Sequence, residues 1–323
     1  MANHNELTIY EFSECDTDEL IAVWNESLKR DLICQDIFER KVLKDDNREY
    51  ALILTAKECT ITGVRIAGFL IAVHRLVPYQ QRGLEPENGW ITAMGVLPEY
   101  RGRGIGTKLL TEAEKRLRER GTTNIILGSY SPNYFMPGVD IMAYPEAVQL
   151  FERHGYIREN RGQSMYRTLF DYEIPEHILQ KQTEAEHAGY VFGSYEEAYQ
   201  TRFIAFMEKN FSPGWLYNAR KLIGEGHAES HIRICIAPDG QVCGYCQRGM
   251  DGNESRFGPF GVAGECRNRA IGSILFAHML KDMACRGIYL VYFMTTDEAG
   301  ARFYTRHGLQ VFREFYHYRK TFS

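Results

Sequence analysis

Arg101-Gly102-Arg103-Gly104-Ile105-Gly106 packs two cations and three glycines into one short turn, the composition of an anion-binding site. The apolar run WITAMGV precedes it. TKLLTEAEKRLRERG follows, with Leu109, Leu110, Ala113 and Leu117 on one helical stripe, so the pattern predicts strand, turn, helix. The first turn of a helix carries N–H groups without intrahelical partners and the positive end of the backbone dipole. Glycines let that backbone approach a ligand, and arginines add charge, which together describe a cradle for a phosphate or pyrophosphate. The arrangement occurs twice: VLPEYRGRGIGTKLL at 96–110 is matched by VAGECRNRAIGSILF at 262–276.

The elements around the two turns also repeat. In the first half, the strands LTIYEF, YALILTA, VRIAGFLIAV and WITAMGV and the helix TDELIAVWNESLKR precede the turn helix. NIILGSY, the loop SPNYFMPGVDIMA, the helix PEAVQLFERHG and a strand near MYRTLF follow it. In the second half, two helices, the hairpin HIRICIA/QVCGYCQRG and the strand RFGPFGV lead to the second turn. The strand IYLVYFM, the helix EAGARFYTRHG and the strand FREFYHYRK complete the copy. The turns lie 166 residues apart and the shared Arg-His-Gly tripeptides 153 apart, so the YFMPGVD loop gives the first copy 13 extra residues. A chain of 323 residues is long enough for two domains. The expected division is 1–172 and 173–323, with 173–189 as junction.

Composition narrows the function. A formal charge of -4, with no basic run interleaved with aromatics, argues against nucleic acid. The chain shows neither a signal-like start nor an apolar run long enough to span a bilayer, so the expectation is a cytoplasmic protein without a membrane partner, monomeric or homodimeric. The eight cysteines read as free thiols. Cys243 and Cys246 form a lone C-x-x-C in a strand, where positions three apart face opposite ways, and no metal site is expected. A dinucleotide fold is disfavoured because the glycine-rich turn follows a late strand, and no acidic residue stands at the required place after a second strand.

The turn 101–106, the helix ending AVQLFERHGY and their counterparts RNRAIG and GARFYTRHGL resemble the acetyl-coenzyme A-binding motif and late helix of the GNAT N-acetyltransferases. The resemblance covers nearly the whole chain and implies an α/β (α+β) fold of two tandem domains. Each would be a mixed, mostly antiparallel sheet, splayed between its fourth and fifth strands and flanked by helices. It implies acetyl-coenzyme A as cofactor. The pantetheine arm would bond strand-four backbone at Val96 or Val262. The pyrophosphate would rest on Arg101, Gly102, Arg103, Gly104, Gly106 and Thr107, or on Arg267, Asn268, Arg269, Ala270, Gly272 and Ser273. Asn268 and Ala270 stand where the first copy has glycine; Ala270 is tolerable if its backbone is already helical and costly if that position needs positive φ.

Transfer of an acetyl group to an amine needs a neutral amine, a polarised thioester and a proton for the departing thiolate. In the resembled family a late-helix tyrosine supplies that proton. The resemblance puts Tyr304 there in the second copy and Phe151 in the first, so the expectation is chemistry in the second half with Tyr304 as acid. Asp297 and Glu254, with Asp251 nearby, are the candidate bases, although Asp297 also reads as a helix cap. Either the first half binds cofactor without turnover, or it is active with Tyr130 or Tyr134 as acid. The expected activity is N-acetylation of a small-molecule primary amine such as an amino sugar. The alternatives are a protein amine as acceptor, and a non-catalytic acyl-coenzyme A sensor or scaffold.

Overall fold

The computed structural model describes residues 7–60 and 63–322. They form two compact units. The first contains β1 (Leu7–Glu11), α1 (Thr17–Ser27), α2 (Gln35–Phe38), β2 (Leu52–Thr60), β3 (Gly63–His74) and β4 (Asn88–Val96). It continues with α3 (Ile105–Glu119), β5 (Asn124–Leu127), β6 (Val139–Asp140), α4 (Pro145–Arg153) and the start of β7 (Ile157–Thr168). The rest of β7 opens the second unit, followed by α5 (Glu176–His187), β8 (Val191–Ser194), α6 (Gln200–Asn210), α7 (Pro213–Gly224) and α8 (Ala228–His231). Then come β9 (Ile232–Ile236), β10 (Val242–Arg248), β11 (Phe257–Val262), α9 (Ile271–Cys285), β12 (Leu290–Thr296), α10 (Glu298–Arg306) and the start of β13 (Gln310–Thr321).

In the first unit β1 to β4 form an antiparallel meander, and β5 joins β4 in parallel. The stripe read from α3 is its buried face: Leu109, Leu110, Ala113 and Leu117 are inaccessible, against Leu54, Phe69 and Leu70. Gly121, at φ +87, follows the last turn of that helix in the conformation glycine tolerates best. Pairing of β4 with β5 runs from Asn88↔Asn124 to Ile91↔Leu127 and stops, leaving 92–96 without a β5 partner. This is the splay expected from the sequence.

The second unit has the antiparallel order β8-β9-β10-β11. Its β12 pairs antiparallel with 163–168 of β7, and a single bridge, Arg256↔Tyr292, links the approach to β11 with β12. Two apolar clusters hold it, one around Phe276, Leu280 and Met283 and the other around Phe203, Met207 and Tyr245.

The units divide the chain differently from the expected 172/173 boundary. The division falls between Gly162 and Gln163, and residues from Arg313 onward belong to the first unit. Burial supplies the reason. Phe315 and Tyr318 of β13 are fully buried in the first core, and that stretch pairs with β5 from Tyr318↔Leu127 to Thr321↔Asn124. Met165 and Leu169 are fully buried in the second core. The proposed junction 173–189 is mostly the helix α5, whose Ile178 and Ala185 are buried in that same core. Among the described residues no helix is long and apolar enough to cross a membrane.

Candidate active site

The splay in the first unit opens a cavity of about 720 Å³. Ile91 to Val96 of β4 line it on one side, with residues 26–30 at the end of α1. Gly138 to Asp140 and the face of α4 that includes Tyr144, Leu150 and Phe151 line it on the other. The turn Arg101, Gly102, Gly104, Ile105, Gly106 and Thr107 lines it as well. Gly102 and Gly104 stand at φ +74 and +77, and a side chain at either would meet open space, so their requirement is conformational. Gly104 caps α3, and the N–H groups of Ile105, Gly106 and Thr107 therefore lack intrahelical acceptors. Arg101 braces the turn, donating from Nε to the Val96 carbonyl (3.2 Å) and from Nη2 to that of Ser27 (3.2 Å), and Arg103 lies over the Tyr100 ring.

These features fit acetyl-coenzyme A. The unpaired edge of 92–96 suits the amides of a pantetheine arm, and the N-terminus of α3 beside Arg101 suits a diphosphate, while Arg103 is not among the lining residues.

The second turn has the same backbone shape. Asn268 at φ +62 and Ala270 at φ +60 occupy the positions of Gly102 and Gly104, and Arg267 Nε donates to the Val262 carbonyl at 3.3 Å, as Arg101 does to Val96. Two half-buried aromatic rings stand beside it. Phe260 of β11 lies 5.4 Å from Phe303 between ring centroids, and a methyl on Gly272 would come within 3.0 Å of the Phe260 ring. Ser273, expected to face a phosphate, bonds His307 Nε2 at 3.0 Å. In the first copy Met94 and Leu150 stand where Phe260 and Phe303 stand in the second.

The expected catalytic residues of the second unit each have partners of their own. Tyr304 is buried among Phe257, Phe260, Phe276, Phe293 and Phe303, and that burial pushes its phenol well above the usual tyrosine range. Asp297 caps α10, its Oδ1 accepting the Gly300 N–H at 2.7 Å. Glu254 is bound by Arg248 and by His231, and Asp251 by Arg256. Tyr130, the alternative acid of the first half, is buried and donates to Asp45 Oδ1 at 2.9 Å, while Tyr134 lies outside the cavity lining.

Sequence reasoning missed a cluster in which Asp140 and Tyr144 line the cavity and Asp31 and Arg313 stand behind them. Arg313 was assigned with its strand to the second copy, and Asp140 was noted only as part of a loop. Their chemistry becomes visible when β13 is placed beside β5 and β6.

Fold and cleft together define a tandem acyltransferase architecture. A family model for the acetyltransferase (GNAT) family matches residues 10–136 and 159–309. The chain belongs to that family, and its cofactor is acetyl-coenzyme A. No curated protein matches the chain. Among solved structures it is similar to the glucosamine N-acetyltransferase region of a fungal multi-domain beta-N-acetylglucosaminidase, with 21% identity, TM-score 0.80, and coverage of 99% of this chain but 38% of that one. It is also similar to an N-acetyltransferase of the family from Sphaerobacter thermophilus (17% identity, TM-score 0.71, 98% and 95% covered). A tandem protein of the family from the clavulanic acid biosynthesis pathway matches with 16% identity, TM-score 0.64 and 98% of both chains covered. At these identities the likeness establishes the fold.

Proposed function

We propose that this protein is an N-acetyltransferase of small primary amines, with amino sugars such as glucosamine as the first class to test, and that its first unit holds the acetyl donor. The observation carrying this reading is the open cavity of about 720 Å³ between β4 and β6, set against the Phe260–Phe303 pair that stands at the corresponding place in the second unit. The amino-sugar choice is supported by the likeness, over 99% of this chain, to a region named for glucosamine.

Bound acetyl-coenzyme A supplies an activated acetyl thioester. The turn 101–107 holds the diphosphate, and the free edge of 92–96 orients the arm. Glu26, paired with Lys29 at 3.0 Å, and Glu146 line the same cavity together with Arg30, Arg101 and Arg153, so both signs of charge stand around it. Both phenols lining the cavity are committed to carboxylates, Tyr100 donating to Glu58 at 2.5 Å and Tyr144 to Asp31 at 2.6 Å. This reading therefore assigns no tyrosine as acid, in contrast to the role expected for Tyr304.

The test is release of free thiol from acetyl-coenzyme A with glucosamine and a panel of primary amines. Met94→Phe combined with Leu150→Phe gives the first unit the aromatics of the second and is expected to abolish turnover, while Tyr304→Phe stays within about twofold of the parent. The reverse pattern would move the chemistry to the second unit. Binding of acetyl-coenzyme A without thiol release for any amine would make the protein a sensor.

A further inference from the structure

One buried cation, Arg313, joins Asp140, which lines the first unit's cleft, to Asp31, which follows the lining residue Arg30. On one side Asp31 follows the lining segment 26–30, and its backbone carbonyl accepts from Trp24 Nε1 at 2.6 Å. On the other, Asp140 ends β6, and its Oδ1 accepts the N–H groups of Met142 (3.0 Å) and Ala143 (2.9 Å), fixing the turn into α4. Arg313 joins them. Its Nη1 and Nη2 meet Asp31 Oδ1 and Oδ2 at 2.6 and 2.9 Å, and its Nε meets Asp140 Oδ2 at 2.7 Å. Tyr144, at the start of α4, donates to Asp31 Oδ2 from the Asp140 side. The side chains of Arg313, Asp31 and Asp140 are only 9%, 10% and 2% exposed.

We propose that Arg313 is a positioning residue that sets the width of the first unit's cofactor cleft, so that affinity for acetyl-coenzyme A depends on a residue that follows the second unit in the chain. The inference rests on the reading of this cleft as the donor site. Two carboxylates share one cation, so without it they repel across a poorly solvated gap and the walls separate. The rigid fork of a guanidinium can bond both carboxylates at once, whereas the single nitrogen of lysine keeps the charge and loses the span.

The experiment is titration calorimetry with acetyl-coenzyme A, each variant first shown to be folded by circular dichroism. Arg313→Lys is expected to weaken binding roughly tenfold. Tyr144→Phe weakens it by less, and the double variant by less than the product of the two effects, because both act through Asp31. Arg319→Lys, on the same strand as Arg313, is the control for stability alone, since it alters the ion pair with Glu159 of β7 (3.0 Å) without touching the cleft, and it should leave affinity unchanged. If Arg313→Lys fails to fold, Tyr144→Phe carries the test. Parental affinity in both variants, or equal weakening by Arg319→Lys, overturns the proposal. If the Met94→Phe, Leu150→Phe variant also binds like the parent, the donor-site reading falls with it. If that variant abolishes binding while Arg313→Lys and Tyr144→Phe do not change it, only the role of Arg313 is refuted.

Discussion

Ala270 holds a left-handed backbone, φ +60, that Gly104 holds in the first copy without the same steric penalty. A Cβ in that region costs roughly 1–2 kcal/mol, so Ala270→Gly should raise the stability of the second unit by about 1 kcal/mol in urea unfolding. An unchanged midpoint would show that the turn relaxes in solution. Asp297 offers a second residue-scale test, because a cap and a catalytic base respond differently to the same change. Asp297→Ala is expected to cost about 1 kcal/mol of stability, and Asp297→Asn to retain both the cap and turnover. Lost turnover in a stable Asp297→Asn variant would restore the base. The turn itself was legible because glycine and arginine announce its conformation and charge. The aromatic pair beside the second turn was not. Phe260 and Phe303 look like ordinary core residues until the aligned positions Met94 and Leu150 are found lining an open cavity.

At the scale of elements, α10 and α9 are stitched by His307, which bonds Ser273 and stacks near Phe303 at 4.6 Å. Burial holds its imidazole at about 4, below the usual 6.5. The unfolded chain therefore binds the proton more readily, and the stabilisation present above pH 6.5 is lost as pH falls toward 4. Thermal unfolding of the second unit should shift downward across that window, and His307→Gln should make the slope shallower. It should not remove it, since the half-buried His231 and His278 are shifted the same way. An unaltered slope in His307→Gln would remove this account of α10. Most elements were readable from hydrophobic period alone, including α3, α9 and the β9–β10 hairpin. The helix α5 was taken for a junction because its surface is polar and only Ile178 and Ala185 are buried.

The whole molecule is organised by the two strands that serve units other than those expected from sequence order. Fully burying Phe315 or Tyr318 contributes roughly 1.5–3 kcal/mol per side chain, a large share of a domain's net stability. A fragment of residues 1–172 is therefore expected to show no cooperative unfolding and rapid proteolysis, although the sequence repeat makes it look like a complete domain. A stable fragment would refute the structural importance of β13. Repeats in sequence locate copies of a motif, but strand pairing is a long-range property that periodicity does not encode, and the misplaced boundary follows from that.

The same strand imposes an order in time. Residues 313–321 leave the ribosome only after the whole second unit, roughly 10–30 s behind the end of the first at ordinary elongation rates. Throughout that interval the edge of β5 that will receive Tyr318 to Thr321 stands unpaired, the kind of edge that recruits foreign strands. The unit with the open cleft is thus translated first and completed last, and its yield in the cell is tied to how well that bare edge is guarded during synthesis.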